Sequence, residues 1–369
     1  MKIMNILICT ENLIMDGVKR VATVIGNELS RKNTVYYYSL SSDPSFFSLA
    51  APLLHAVHPV NTGKSFREDR PLQRFTQQIT DLLTVIKKYK ITVVILNAGL
   101  FTSFAPVLKQ RLPTVKLIAW LHNNYETYLE KYYRQMAPEF IAGLNAVDTV
   151  IALTEHDLKK FKQHNQHTLK IYNPVTLKAH GHAKLVNPTI AVVCRLDIQH
   201  KGLDLLLNLA ALLPTPWQIK VAGDGPEKEA LQTAITNQKL SQKIKLTGAL
   251  NDLQLRKHYQ SASLFVMTSR WEGLPLVIGE AMDFGLPIAS MWNTGAQEYL
   301  QNGQYGILSA DHDVASFMHN LSPLLQDLNL RKHWSKLALT RAQAFQLPTI
   351  VAQWEELLHK MTPSKSSSF

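Results

Sequence analysis

Short apolar runs alternate with helix-length amphipathic segments along the whole chain. In the first half, Ile3–Cys9, Val35–Ser39, Thr92–Asn97, Val115–Leu121 and Thr149–Leu153 predict strands. In the second half, Thr189–Cys194, Gln218–Ala222, Lys243–Thr247, Leu264–Thr268 and Pro287–Ser290 do the same. The runs are continuous rather than alternating, as parallel strands covered on both faces require. Helical patterns lie between them at Val18–Leu29, Leu72–Lys88, Leu203–Leu213, Glu227–Asn237, Asp252–Ser261 and Val277–Phe284. Strand–helix alternation repeated twice predicts an α/β protein of two doubly wound, Rossmann-like domains.

At 369 residues the chain is too long for one ordinary core. The boundary falls near Asn173-Pro174, giving a first domain over 1–174 and a second over 175–345. A returning helix and tail over 346–369 complete the chain. Val175–Pro188 has neither period and reads as linker. Pro348–Met361 sets Ile350, Trp354, Leu357 and Leu358 on one side, a face suited to packing back on the first domain. Thr362–Phe369 has the composition of a disordered end.

Composition narrows the class. The apolar fraction of 46% and charged fraction of 18% are those of a soluble globular protein. No run reaches the roughly 18 consecutive apolar residues of a membrane span, and the N-terminus runs straight into a strand. We therefore expect a cytoplasmic protein, free or resting on the inner face of the plasma membrane. Cys9 and Cys194 end strands in different halves and read as small buried hydrophobes, with neither a disulfide framework nor a zinc site indicated. Residues 1–175 carry 21 Lys+Arg against 13 Asp+Glu, while 176–369 carry 18 against 15. The basic first half fits either an anionic partner, such as a phospholipid surface or phosphate-bearing acceptor, or a plain solubility surface. No nucleic-acid module is legible.

The candidate chemistry is concentrated in the second half. Arg195 follows the carboxyl end of a predicted strand, where open α/β sheets bind ligands, and Lys201-Gly202 opens the next helix. Two cations converging there would stabilise a departing diphosphate; alone, each also reads as a solvated surface charge. Gly223-Asp224-Gly225-Pro226 is a strand–helix turn through which the backbone can approach a ligand. Its third glycine position holds Lys228, which disfavours a nicotinamide cofactor. Glu272-Gly273-Leu274-Pro275 turns into a helix whose first amides suit an anion. Glu280 is placed on that helix's first turn, with its carboxylate toward ribose hydroxyls.

In this order, Arg195…Lys201-Gly202, Gly223-Asp224-Gly225-Pro226, Glu272-x7-Glu280 and Gly285-Leu286-Pro287 resemble the retaining glycosyltransferases of family 4, which have the GT-B fold. Further matching pieces are Gly295…Glu298, Gly303…Gly306, Thr149–Glu155, Ile171–Pro174 and the first turn and helix Asp16–Leu29. The resemblance implies two Rossmann-like domains facing across a cleft, with a C-terminal helix crossing back to the first. It implies transfer of a hexose from a nucleotide sugar, most often a UDP-sugar, to a hydroxyl of a glycan or lipid-linked glycan in bacterial envelope or exopolysaccharide synthesis. Arg195 and Lys201 would hold the diphosphate, Glu280 the ribose and Glu272 a hexose hydroxyl. Gly17 would lie against phosphate or sugar, and His122 would face the donor sugar. Gly223, Gly273, Leu274 and Pro275 would complete the donor pocket. No catalytic metal and no cofactor are implied.

The chain departs from the family pattern in three places. Asp16 stands where a glycine is usual, Cys194 stands before the arginine, and Gly279 weakens the helix before Glu280. Two other classes remain open at this stage: a non-catalytic GT-B scaffold or partner subunit, and a sugar-nucleotide epimerase of similar architecture. Tyr125–Arg134, rich in aromatics and charge, reads either as an acceptor-side or interfacial element or as a surface amphipathic helix.

Overall fold

A computed structural model of the chain describes residues 3–62 and 69–361; the predicted tail Thr362–Phe369 lies outside them. Residues up to Asn173 together with those from Pro348 onward make one compact unit, and Pro174–Leu347 make another.

The first unit contains β1 (Asn5–Thr10), β2 (Thr34–Ser39), β3 (Leu53–His55), β4 (Val93–Asn97), β5 (Lys116–Trp120), β6 (Thr149–Ala152) and β7 (Thr168–Lys170). They form one parallel sheet in the order β3-β2-β1-β4-β5-β6-β7. The order reverses beside β1, so the topological switch point lies between β1 and β4. Leu7, Val94, Leu96, Leu117 and Ala119 anchor one core, closed by Phe101, Phe104 and Phe140. The last helix, Leu347–Met361, buries Ile350, Trp354, Leu357 and Leu358, the stripe its sequence period marks. Trp354 meets the Trp120 ring at 4.6 Å, and Glu355 accepts from Lys32 at 2.8 Å. This helix therefore completes the first sheet's core.

The second unit contains β8 (Thr189–Val193), β9 (Gln218–Ala222), β10 (Ile244–Gly248), β11 (Leu264–Met267), β12 (Ile288–Met291) and β13 (Ile307–Ser309). Its parallel sheet runs β10-β9-β8-β11-β12-β13, with the switch point between β8 and β11. Ile190, Val192, Ile219, Leu264 and Val266 form its core with Leu206 and Phe317. The patternless segment after Pro174 is fixed to this unit. Leu177 and Leu185 are buried, Asp283 accepts the Ala179 amide, and the buried Arg331 donates to the Leu185 carbonyl.

Local differences from the sequence reading have physical causes. The segment 72–88 is two helices, Pro71–Arg74 and Thr76–Lys88. Phe75 leaves helical geometry between them and buries its ring against Phe104. Tyr125–Arg134 is not a surface amphipathic helix. It contains a π-helical turn, Thr127–Tyr132, and its Tyr128 and Tyr133 stack 5.3 Å apart inside the core. Among the described residues no helix is long and apolar enough to cross a membrane.

Candidate active site

The second unit places four charged residues of the sequence motifs beside its switch point. Arg195 and Lys201 follow β8, while Glu272 and Glu280 follow the neighbouring β11. Lys201 Nζ donates to Glu272 Oε1 at 2.6 Å, and both side chains are largely buried. The ring of His200 stacks flat on Trp271, with centroids 4.7 Å apart, and its Nε2 lies 4.0 Å from Glu272 Oε2. Burial holds the His200 pKa below its ordinary value, with Lys201 adding to the depression. Arg195 is exposed and makes no ion pair among the described residues. One largely buried pair and one open cation thus stand at the ends of adjacent strands. A buried pair of this kind is weak evidence for stability, but it fixes where both charges sit.

Several residues outside the motif set hold this arrangement. Arg270 clasps Asp204 through two bonds of 2.8 and 2.6 Å and donates to the Gln199 carbonyl. Its amide donates to the His200 carbonyl, and Thr268 Oγ1 donates to the Lys201 carbonyl. The turn that carries Glu272 is therefore tied to the helix that carries Lys201. Asn293 donates to the Ser269 carbonyl, and Thr294 to the Glu272 carbonyl. Sequence reasoning missed these residues because their partners lie 22 to 71 positions away. The adjacency of Asp204 to Lys201-Gly202 and of Arg270 to Glu272 was the available signal.

The glycine turn serves the chain itself. Gly223 has φ +144°, and a Cβ there would stand 1.8 Å from the Cys194 carbonyl oxygen; one at Gly225 would stand 2.3 Å from that of Leu196. The close approach expected of a ligand is thus made by the loop after β8. The Leu196 amide donates to Asp224 and the Ile198 amide to the Glu227 carboxylate. This bracing presents Arg195 at a fixed height above the sheet.

Glu280 is the fifth residue of helix Leu276–Asp283, just past the first turn on which the sequence placed it. It is 4% exposed and accepts from Tyr259 Oη at 3.1 Å and Thr176 Oγ1 at 3.3 Å. Gly273, Leu274 and Pro275 are buried, with Pro275 as the helix N-cap. An Asp-x-Asp sequence, Asp311-His312-Asp313, follows the edge strand β13. Asp313 is spent there as an N-cap, accepting the Ser316 amide at 2.7 Å. Cys194 is half-buried and its thiol is pushed up to about 12 by burial; Cys9 is fully buried.

The first unit's switch point is different in kind. His122, two residues past β5, is buried, and its Nε2 lies 3.0 Å from Asn97 Oδ1 at the end of β4. Asn97 Nδ2 donates to the Cys9 carbonyl of β1, so its oxygen faces the imidazole and His122 carries its proton on Nε2. The Nδ1 lone pair is buried without a hydrogen-bond partner. Burial pushes the His122 pKa down to about 3, with Asp16 opposing and Lys19 assisting. The ring is thus neutral and offers an acceptor. Gly17 is exposed and begins helix Gly17–Leu29. Asp16 caps that helix, accepting the amides of Val18 and Lys19, with Lys19 Nζ 3.6 Å away. The Asp16 carboxylate thereby occupies first-turn amides that an anion would otherwise use. Asn123 and Asn124 are turn formers: Asn123 Oδ1 accepts the Asn124 amide, and Asn124 Oδ1 that of Thr127. Beyond them Glu126, His156 and the buried Asp157 bring oxygen and nitrogen atoms within 4.8 Å of one another. Burial raises Asp157 to about 6.

Residues 178–341 match the family model described as Glycosyl transferases group 1. An uncharacterized glycosyltransferase of Haemophilus influenzae is 25% identical, over 93% of this chain and 96% of its own. The amylovoran biosynthesis glycosyltransferase AmsD of Erwinia amylovora is 26% identical over the same shares. Among solved structures, Anabaena HepE in complex with UDP superposes with a TM-score of 0.79 over 97% of this chain and all of its own, at 18% identity.

Proposed function

We propose that this chain, a GT-B glycosyltransferase with a group 1 domain, moves a hexose from a UDP-sugar to a hydroxyl of a glycan or lipid-linked glycan, with retention at the anomeric carbon and without a catalytic metal. The reading rests above all on one observation: Arg195, Lys201, Glu272 and Glu280 all follow the two strands that flank the second sheet's switch point. Two fixed cations there suit a diphosphate, whose charge grows as its bond to the sugar breaks. The N-terminus of helix Leu276–Asp283 adds a favourable dipole. Glu280, oriented by Tyr259, takes the ribose hydroxyls, and Glu272, held by Lys201, takes a hexose hydroxyl. Neutral His122 accepts a bond from the donor sugar through Nδ1. The Anabaena neighbour solved with UDP supports the choice of base, and the relative named for amylovoran biosynthesis supports a polysaccharide product.

In this mechanism the bond from the anomeric carbon to the β-phosphate oxygen breaks as the acceptor oxygen bonds on the same face. The acceptor proton passes to the departing phosphate oxygen, leaving a glycoside and UDP. The basic first half suits an acceptor held at an anionic membrane on its cytoplasmic side. To test the reading, the protein is incubated with a panel of UDP-hexoses, and the released UDP and first-formed sugar anomer are followed by NMR. Slow UDP release with the donor's α-configuration kept, and lost in Arg195→Ala, is expected. An inverted anomer, or equal release by the variant, would overturn it.

A further inference from the structure

His122 has a single ring-nitrogen partner among the described residues, the bond from Nε2 to Asn97. One bond alone does not hold the ring: if the imidazole swings, Nδ1 turns with it and the Nε2 contact to Asn97 that fixes the tautomer is lost. What limits that swing is packing against Trp120, whose centroid lies 4.6 Å from that of His122 at 43°. Trp120 is fully buried at the end of β5, and its Nε1 makes no hydrogen bond. Its indole is therefore located by shape alone. The far side of that shape is Trp354, fully buried, 4.6 Å from Trp120 and nearly edge-on at 61°. Trp354 in turn is fixed by its own helix, through the buried neighbours Ile350, Leu357 and Leu358 and the Lys32–Glu355 ion pair.

We propose that Trp354, on the last helix of the chain, is a positioning residue that sets the direction of the His122 Nδ1 lone pair through Trp120. The catalytic consequence rests on the transferase reading above; the geometric claim does not. Interiors are close-packed, so an emptied volume behind Trp120 lets that ring move and frees the imidazole. The backbone contact of this segment, the His122 amide donating to Tyr128 Oη at 2.8 Å, holds the chain but not the ring.

The test uses full-length protein labelled with nitrogen-15 at histidine, with the His122 signals assigned by their loss in His122→Gln. The wild type should show one tautomer, protonated at Nε2. Trp354→Ala should show averaged ring-nitrogen shifts at His122, and Trp354→Phe should restore most of the single-tautomer pattern. For donor hydrolysis, Trp354→Ala should lower kcat by about 10- to 100-fold through misplacement while the donor KM stays within about twofold. If Trp354→Ala does not fold, Trp354→Leu is read by the same spectrum. An unchanged His122 pattern in the smaller variant overturns the proposal whatever the activity. If the wild type hydrolyses no UDP-sugar, the functional reading fails and the spectrum still decides this one.

Discussion

The two units share a parallel, doubly wound sheet, yet their switch points are built from opposite materials. In the second, the groups are charged: an exposed Arg195 and a 2.6 Å ion pair between Lys201 and Glu272. In the first, the group past β5 is buried and neutral, His122 held near pKa 3 by burial with its one ring bond going to an amide, and the carboxylate directly after β1, that of Glu11, is buried. Even Asp16, the nearest carboxylate in sequence to Gly17, is consumed as a helix cap. The contrast assigns different tasks to one architecture. A pair of cations suits a diphosphate, whereas a neutral imidazole beside a buried carboxylate suits hydroxyls and similar dipoles.

The contrast is most exposed to Arg195→Ala and Lys201→Ala, each expected to lower kcat/KM for a UDP-sugar by about 10²–10³-fold, as loss of a preorganised group facing developing charge does. Lys201→Ala also removes the 2.6 Å ion-pair partner of Glu272, so its loss should be the larger. Next comes Gly223→Ala, which forces a Cβ against the Cys194 carbonyl at a positive φ. A stability loss of about 2–3 kcal/mol is expected from strain of this kind, measured by urea denaturation; an unchanged midpoint would mean that the loop carrying Arg195 is not braced as described. On the proposed reading His122→Phe removes one neutral hydrogen bond to the donor sugar and should cost about tenfold in turnover, with UDP binding intact.

The same substitution sharpens the contrast in stability. Folded His122 titrates near 3 and the unfolded side chain near 6.5, so the unfolded state binds the extra proton between those values. Stability therefore falls as pH drops from about 6.5 toward 3. His122→Phe should flatten part of that slope, leaving the share of His258, which burial lowers to about 4. The smallest effect is expected for Arg270→Lys. It replaces a bidentate clasp on a half-exposed Asp204, so the stability change should stay below about 1 kcal/mol. Turnover should still drop several-fold as the turn bearing Glu272 loosens.

What the chain disclosed in advance follows the same divide between local and distant causes. Interior strands such as β4, β8 and β11 are continuous apolar runs and were legible. The edge strands β3, β7 and β13 were not, because Leu53–His55, Thr168–Lys170 and Ile307–Ser309 are three residues long and partly exposed. Arg195, Lys201, Glu272 and Glu280 stood out as an ordered set. Their mutual contacts did not, since Lys201 and Glu272 meet across 71 positions. The glycine turn was read as room for a ligand, yet its space is taken by the carbonyls of Cys194 and Leu196. The segment 125–134 reads from its sequence as an acceptor-side or interfacial element or as a surface helix, yet Tyr128 and Tyr133 are buried beside a π-helical turn, which changes which residues share a side.

The central claim is that the second unit alone carries the charge that meets a diphosphate. Calorimetric titration of UDP into the wild type, Arg195→Ala, Lys201→Ala and His122→Phe tests it directly. The account predicts binding by the wild type and His122→Phe with closely similar affinity, and a loss of at least about tenfold, or 1.4 kcal/mol, in each cation variant. Wild-type affinity in both cation variants, or a loss confined to His122→Phe, would contradict it.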